Sequence, residues 1–304
     1  MNRRELLLAS TALATATLPL QAAHAAADAA APSLDPAPAL RPPAQGSIPV
    51  AVLVSRGAVV IDFCGPWEVF NNVGLPQQSQ PAFRLFTVAE SSAPVEASGG
   101  LRVVPEFTFV NAPLPKVVVI PAQHGAGAAA LEWIRRVSAT TDLTMSVCTG
   151  AFVLARSGLL HGRPATTHHT AYSSLAMQFP DIQVRRGARF VESGNLATAG
   201  GLSSGIDLSL RVVERYFGRE VARQTADYME YQGQGWLDPN SNAAYRTHRV
   251  LSADHPFCPV CEMDVDVQRA PSSRYQGVSY YFCMPEHKQA FDADPQAYLA
   301  MLRS

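Results

Sequence analysis

The sequence predicts a doubly wound α/β domain built on a mostly parallel sheet, followed by a small appended α+β module. Three observations predict it. Runs of strand length such as Ile48 to Val54 and Val117-Val118-Val119-Ile120 are apolar throughout rather than alternating, as strands covered on both faces require. These runs alternate with helical stretches, the arrangement of a parallel sheet with helices on its two faces. Beyond residue 254 the pattern changes to a short segment with a C-x-x-C knuckle and a later cysteine and histidine.

The chain opens with Asn2-Arg3-Arg4-Glu5-Leu6-Leu7-Leu8, continues through an apolar run diluted by Ser and Thr, and reaches Ala23-His24-Ala25. A paired arginine, a mild apolar region and an A-x-A site describe a twin-arginine export signal over residues 1–25, which predicts a periplasmic mature chain. Ser10, Thr11, Thr15, Thr17 and Pro19 make this a poor spanning helix, so no stable membrane insertion is expected after cleavage. Residues 26–46 are Ala/Pro-rich and nearly uncharged, a semi-rigid linker without a fold of its own. With 24 Lys+Arg against 25 Asp+Glu and no basic run after the leader, the chain lacks the electrostatic footprint of a nucleic-acid binder.

The main domain is expected over residues 47–237. Ser47 to Val54 is a central strand. After Ser55-Arg56-Gly57, Pro66 suits the first turn of a helix, which places Asp62 in the preceding turn. Asp62 is there either a capping aspartate or a carboxylate facing the crevice at the carboxyl ends of the strands. Phe83 to Ala89 and Lys116 to Pro121 are further strands, with hairpin character between them at Ser98-Gly99-Gly100. The loop Gln123-His124-Gly125 feeds a helix through Leu131-Glu132-Trp133-Ile134, and its backbone N–H groups are candidates for half of an oxyanion hole.

Thr144 to Val147 is a buried strand that ends at Cys148, with Thr149-Gly150 as the turn and a helix from Ala151. A thiol at such a strand-to-helix elbow is a candidate nucleophile, its pKa lowered by the free N–H groups of the helix's first turn, with the Thr149 amide as an oxyanion donor. The competing reading is a small buried hydrophobe. His168 closes Ala165-Thr166-Thr167-His168 near the same crevice, as a structural or a site histidine. Asn195 to Ala199 is a strand, Gly200-Gly201 a turn that permits close backbone approach, and Gly205 to Phe217 an amphipathic helix stopped by Gly218. Asp207 near its start complements the helix dipole.

The stretches Val60-Ile61-Asp62-Phe63-Cys64-Gly65-Pro66-Trp67-Glu68-Val69, Cys148-Thr149-Gly150-Ala151-Phe152, Ala165-Thr166-Thr167-His168 and Gly201 to Asp207 resemble, in order and spacing, the ThiJ/PfpI superfamily of class I glutamine-amidotransferase-like domains. The resemblance covers about residues 48–236 and implies a flavodoxin-like sheet. The Cys-Thr-Gly elbow with Asp62 looks most like the isonitrile hydratase branch, which implies Cys148 as nucleophile, Asp62 as acid/base partner and Thr149 as an oxyanion contact. It also implies a small-molecule substrate, no cofactor in this domain and, by analogy, a homodimer. PfpI-type proteases carry a histidine where this chain has Thr149, and the family's Pro-Gly-Gly loop is here Pro121-Ala122-Gln123. Transcription regulators share the branch, but no basic helix-turn-helix follows here. Cys64, two residues from Asp62, is a pocket-wall residue or a disulfide partner for Cys148.

After a linker over residues 238–254, a module over residues 255–304 carries Cys258-Pro259-Val260-Cys261, then Cys283 and His287. Three thiolates and an imidazole one helical turn past Cys283 can surround one metal, and soft thiolates favour zinc or copper. The alternative is a Cys258–Cys261 or longer disulfide in an oxidising compartment. Three cysteines cannot all pair within so small a module, and a core of this size gains from a metal staple. The segment resembles the YHS domain found attached to heavy-metal-handling proteins. Two functions are expected from these features. One is an exported hydro-lyase that converts an isonitrile to an N-substituted formamide, in which Asp62 works near neutral pH only if burial raises its pKa. The other is a non-catalytic metal-handling or oxidative-stress-sensing protein.

Overall fold

The structure is a computed structural model that describes residues 37–76, 80–124, 126–247 and 256–302. The export signal, most of the first linker, Gly125 and the second half of the connector lie outside the described residues. No helix among the described residues is long and apolar enough to cross a membrane.

In chain order the main domain comprises β1 (Ile48–Leu53), α1 (Val60–Asn71), β2 (Phe83–Ala89), β3 (Val95–Glu96), β4 (Arg102–Val103), β5 (Phe107–Thr108), β6 (Val117–Ile120), α2 (Ala128–Ser138), β7 (Leu143–Val147), α3 (Gly150–Arg156) and β8 (Pro164–Ala165). It continues through α4 (Tyr172–Gln178), β9 (Gln183–Val184), β10 (Phe190–Ser193), β11 (Leu196–Ala199), α5 (Ser204–Phe217) and α6 (Arg219–Tyr228). The central sheet runs β10-β11-β7-β6-β1-β2-β5, parallel throughout except for β10 on β11. This is the doubly wound, mostly parallel α/β fold that the apolar runs predict, in the flavodoxin-like form that the family resemblance implies.

The all-apolar strand β1 has a direct physical explanation. Val50 and Val52 join the core under α1, α5 and α6, whereas Ala51 and Leu53 join the core under α2 and α3, so each pleat face needs its own apolar set. The hairpin around residues 98–100 is present as β3 paired with β4, and Ser98 caps α1 by accepting the Val60 N–H at 3.1 Å.

Helix α1 corrects one expectation. It begins at Val60, six residues before Pro66, so Asp62 lies inside the first turn of the helix rather than in the turn before it. The only intrahelical bond Pro66 cannot make is the one to the Asp62 carbonyl, close to the helix end, where the disruption is least. The α1–α5 contact is tight at this point: a Cβ on Gly65 would lie 3.0 Å from Ile206 Cγ1, and one on Gly205 would lie 3.4 Å from Pro66 Cγ and 3.0 Å from Val147 Cγ1 of β7.

Two segments read as linkers are packed where they are described. The Leu40 N–H donates to the Arg215 carbonyl at 2.8 Å, and Arg215 Nε donates to the Pro38 carbonyl at 3.0 Å. In the connector, Asn242 is buried and accepts from Arg189 Nη1 at 3.2 Å, and Arg189 also donates its backbone N–H to the Pro239 carbonyl. Residues 238–246 therefore lie on the main domain instead of forming part of a free tether. Arg189 further pairs with the buried Asp207, so that aspartate fixes this region besides meeting the α5 dipole.

The C-terminal module is a β12 (Ser272–Tyr275) and β13 (Val278–Tyr281) hairpin followed by α7 (Pro285–Ala293) and α8 (Pro295–Met301). Phe282, Phe291 and Tyr298 pack with Cys258, Val260 and Cys261 into a small core of its own.

Candidate functional site

Because β1, β6, β7 and β11 are parallel, their carboxyl ends meet at one edge, and the expected residues meet there. Cys148 follows β7 directly with φ 58°, the left-handed region that a residue with a Cβ rarely adopts. Three contacts hold the strained backbone. Its N–H is shared between the Gly200 carbonyl at 2.8 Å and the Ala199 carbonyl at 3.2 Å, and its carbonyl accepts the buried Thr167 hydroxyl at 2.9 Å. Gly150 is required for space rather than for a left-handed turn: a Cβ there would lie 2.2 Å from the Ile120 carbonyl oxygen.

The thiol is buried close to Asp62 of α1, and the backbone N–H groups of Thr149 and Leu202 and the Thr149 hydroxyl lie near enough to favour charge on it. Asp62 is fully buried, and its Oδ2 accepts the Ala122 N–H at 3.1 Å. Burial pushes the Asp62 carboxyl up to about 7, despite the Ala122 N–H that it accepts and the nearby Cys148 thiol, which both favour the charged form. The Cys148 thiol is pushed up to about 12, chiefly by burial and then by the neighbouring carboxylate. This reverses the expected lowering at the helix start, because desolvation and a like charge outweigh the amide dipoles.

The 123–125 loop contributes differently from the expectation. The Ala122 amide is engaged by Asp62, and the His124 amide donates to the Arg56 carbonyl at 3.0 Å. The Gln123 side chain is buried and accepts from Ser55 Oγ at 2.8 Å, whereas the His124 ring is exposed and lies against Gly57. Gly125 is outside the described residues.

His168 stands over Gly201, where a Cβ would lie 2.2 Å from its ring, and its Nδ1 bonds the Thr170 hydroxyl at 2.8 Å. Burial and the adjacent His169 lower its pKa to about 4, so it is a neutral imidazole at physiological pH. Cys64 and Cys148 are both free thiols. Sequence reasoning missed two groups: the Leu202 amide, because a leucine at φ 44° carries no glycine signal, and Thr167, overshadowed by the histidine beside it.

The second constellation is Cys258, Cys261, Cys283 and His287, whose ligand atoms all lie within 4.8 Å of one another. The Cys261 and Cys283 sulfurs are 3.4 Å apart, and His287 Nδ1 lies 3.2 Å from Cys283 Sγ and 3.6 Å from Cys258 Sγ. A tetrahedral zinc with Zn–S bonds of about 2.3 Å needs sulfurs about 3.8 Å apart, so the donor set fits such an ion with shifts of about 1 Å. Cys258 is the most acidic thiol, because Cys261 and then His287 hydrogen-bond to it, and Cys261 and Cys283 are pushed up.

Comparison with known proteins bears on the first constellation. The DJ-1/PfpI family model matches residues 49–215. An isonitrile hydratase of Pseudomonas putida is 34% identical over 176 residues, which cover 56% of this chain and 73% of the relative. The HTH-type transcriptional regulator GlxA of Rhizobium meliloti is 29% identical over 59% of this chain and 56% of its own length. The crystal structure of a ThiJ/PfpI family protein from Pseudomonas syringae superposes with a TM-score of 0.56 at 28% identity, covering 70% of this chain and 84% of that one.

Proposed function

The chain belongs to the DJ-1/PfpI family, and within that family we propose that it is an exported, cysteine-dependent hydro-lyase that adds water to a small isonitrile, joined to a metal-binding module. One observation carries the reading: a strained, buried Cys148 faces a carboxyl group that titrates near neutrality.

The chemistry rests on that pair. The Asp62 carboxylate takes the Cys148 proton as the sulfur adds to the terminal carbon of the isonitrile, then hands it to that carbon, giving an S-linked thioformimidate, R–N=CH–S. The Thr149 and Leu202 N–H groups hold charge on the sulfur while the proton is in transit. Asp62 next accepts a proton from water as the water oxygen adds to the same carbon, and delivers it to nitrogen. Collapse expels the sulfur, which regains the hydroxyl proton through Asp62. The products are R–NH–CHO and the free thiol, so one water is consumed. His168, neutral and held by Thr170, shapes the pocket rather than carrying the proton.

Residues 255–304 belong to the same proposal as a YHS-type metal module, with Cys258, Cys261, Cys283 and His287 holding zinc or copper. Bound there, the ion supplies a cross-link in a module too small for a large core. The paired Arg3-Arg4 and the A-x-A site support export and a periplasmic location. The experiment is turnover of a small alkyl isonitrile by the purified chain, with the formamide identified by mass. The second reading, a metal-handling or oxidative-stress-sensing protein, is favoured by the Cys/His cluster; metal binding without formamide release would select it.

A further inference from the structure

The two constellations are joined by one short segment. Thr167 donates its hydroxyl to the Cys148 carbonyl, and the chain then runs through His168 into α4, where it meets the module. Ser173 Oγ donates to Glu262 Oε1 at 3.1 Å, Ser174 Oγ donates to the Val260 carbonyl at 3.0 Å, and Met177 packs on the module's core. Glu262 directly follows Cys261, turns through φ 60° and donates its N–H to the Cys258 carbonyl at 2.7 Å. Its buried carboxylate accepts from Arg186 Nη2 at 3.0 Å, and the guanidinium lies 4.9 Å from the centroid of the Tyr172 ring at the start of α4.

The two hydrogen bonds from α4 and the ion pair from Arg186 end on residues 260–262, in the loop whose conformation a metal fixes through Cys258 and Cys261. A buried ion pair is a poor source of net stability, because desolvating both charges offsets most of their attraction, but it specifies one register between two surfaces. Resting on the assignment of Cys148 as nucleophile, we propose that Glu262 is a positioning residue. It ties the metal knuckle to α4, so that filling the Cys/His cluster holds Thr167 and His168 in place around Cys148. Loss of the metal loosens the knuckle, slackens the segment from Thr167 to Met177, and lets the strained Cys148 backbone relax.

The test uses the full chain under anaerobic reducing conditions, loaded with zinc alone or stripped with a chelator. Iodoacetamide modification of Cys148 is followed by peptide mass spectrometry, so that the other cysteines do not contribute, and hydrogen exchange is followed over residues 166–178. In the parent, stripping should speed Cys148 modification by about fivefold or more, the low end of ordinary coupling between sites. Exchange over residues 166–178 should rise in parallel. Glu262→Gln, which keeps a hydrogen-bonding group but loses the charge facing Arg186, should reproduce the stripped behaviour while retaining one equivalent of zinc; Ser174→Ala should move in the same direction. Equal Cys148 rates in loaded and stripped parent would overturn the coupling, as would parental behaviour of zinc-bound Glu262→Gln. Alkylation does not depend on turnover, so metal-dependent rates without hydration would refute the hydratase reading and leave the coupling standing.

Discussion

Asp62 and Cys148 lie buried beside each other at the carboxyl ends of the sheet strands, and the carboxyl group, not the thiol, titrates near neutral pH. In the proposed hydration the reactive form is the Asp62 carboxylate beside a protonated Cys148, populated between about 7 and about 12. Hydration should therefore rise with pH along a limb with an apparent pKa near 7 and then level off. In Asp62→Asn the limb should vanish and kcat should fall by roughly 10²–10⁴, the usual worth of a positioned acid/base group. A pH–rate profile of kcat/KM for both proteins checks this; an unchanged limb in Asp62→Asn would assign the titration to another group.

The same carboxyl destabilises the fold above its unfolded pKa. A carboxyl that titrates at about 7 when folded, against 3.8 in the reference state, favours the folded chain only while protonated. The penalty is absent below about 4, grows between about 4 and 7, and is complete above 7. At pH 8 Asp62→Asn should gain on the order of 4 kcal/mol, and the gain should disappear as the pH is lowered toward 4. Melting curves at pH 8 and pH 4.5 measure it; a variant less stable than the parent at pH 8 would make Asp62 a structural cap instead.

At the elbow, chemistry and packing separate by position. Cys148→Ala should fold as the parent does and lose hydration entirely, since it removes one sulfur from a site whose backbone is held by Thr167, Gly200 and Ala199. Gly150→Ala should fail to give soluble protein or should lose several kcal/mol, because its Cβ would fall 2.2 Å from one backbone oxygen and 2.8 Å from the next. Circular dichroism and formamide assays on both variants distinguish the roles; a stable Gly150→Ala would mean that β6 shifts to make room.

How far these features were legible in the sequence depended on how local their causes are. β1 and β6 were legible because burial on both faces leaves a continuous apolar run, and the elbow's strand-turn-helix shape because an apolar strand runs straight into Thr149-Gly150 and a helix. The start of α1 was misplaced because Pro66 resembles a helix opening, whereas the actual cap, Ser98, comes from a distant hairpin. The direction of the Cys148 shift was not legible, since it depends on the depth of burial and on a carboxylate from another helix. For the same reason no pattern in the knuckle announced that Glu262 would meet Ser173 and Arg186.

The Cys/His cluster gives the last prediction. Its four donor atoms converge from two separate segments, the knuckle at 258–261 and the strand-to-helix passage at 283–287, so a bound ion ties both ends of the module's fold together. Among the described residues the module's own buried core is small: Val260, Phe282, Phe291 and Tyr298 with Cys258 and Cys261. The purified chain should carry one equivalent of zinc or copper, and Cys258→Ser or Cys283→Ser should release it. Because binding free energy in such modules is largely folding free energy, chelation should unfold residues 256–302 at a temperature where the main domain stays intact. The melting curve should then show two steps in place of one. Elemental analysis and hydrogen exchange before and after chelation measure both consequences. A metal-free protein whose intact mass is two daltons lighter than the sum of free thiols would show that two of these cysteines form a disulfide instead.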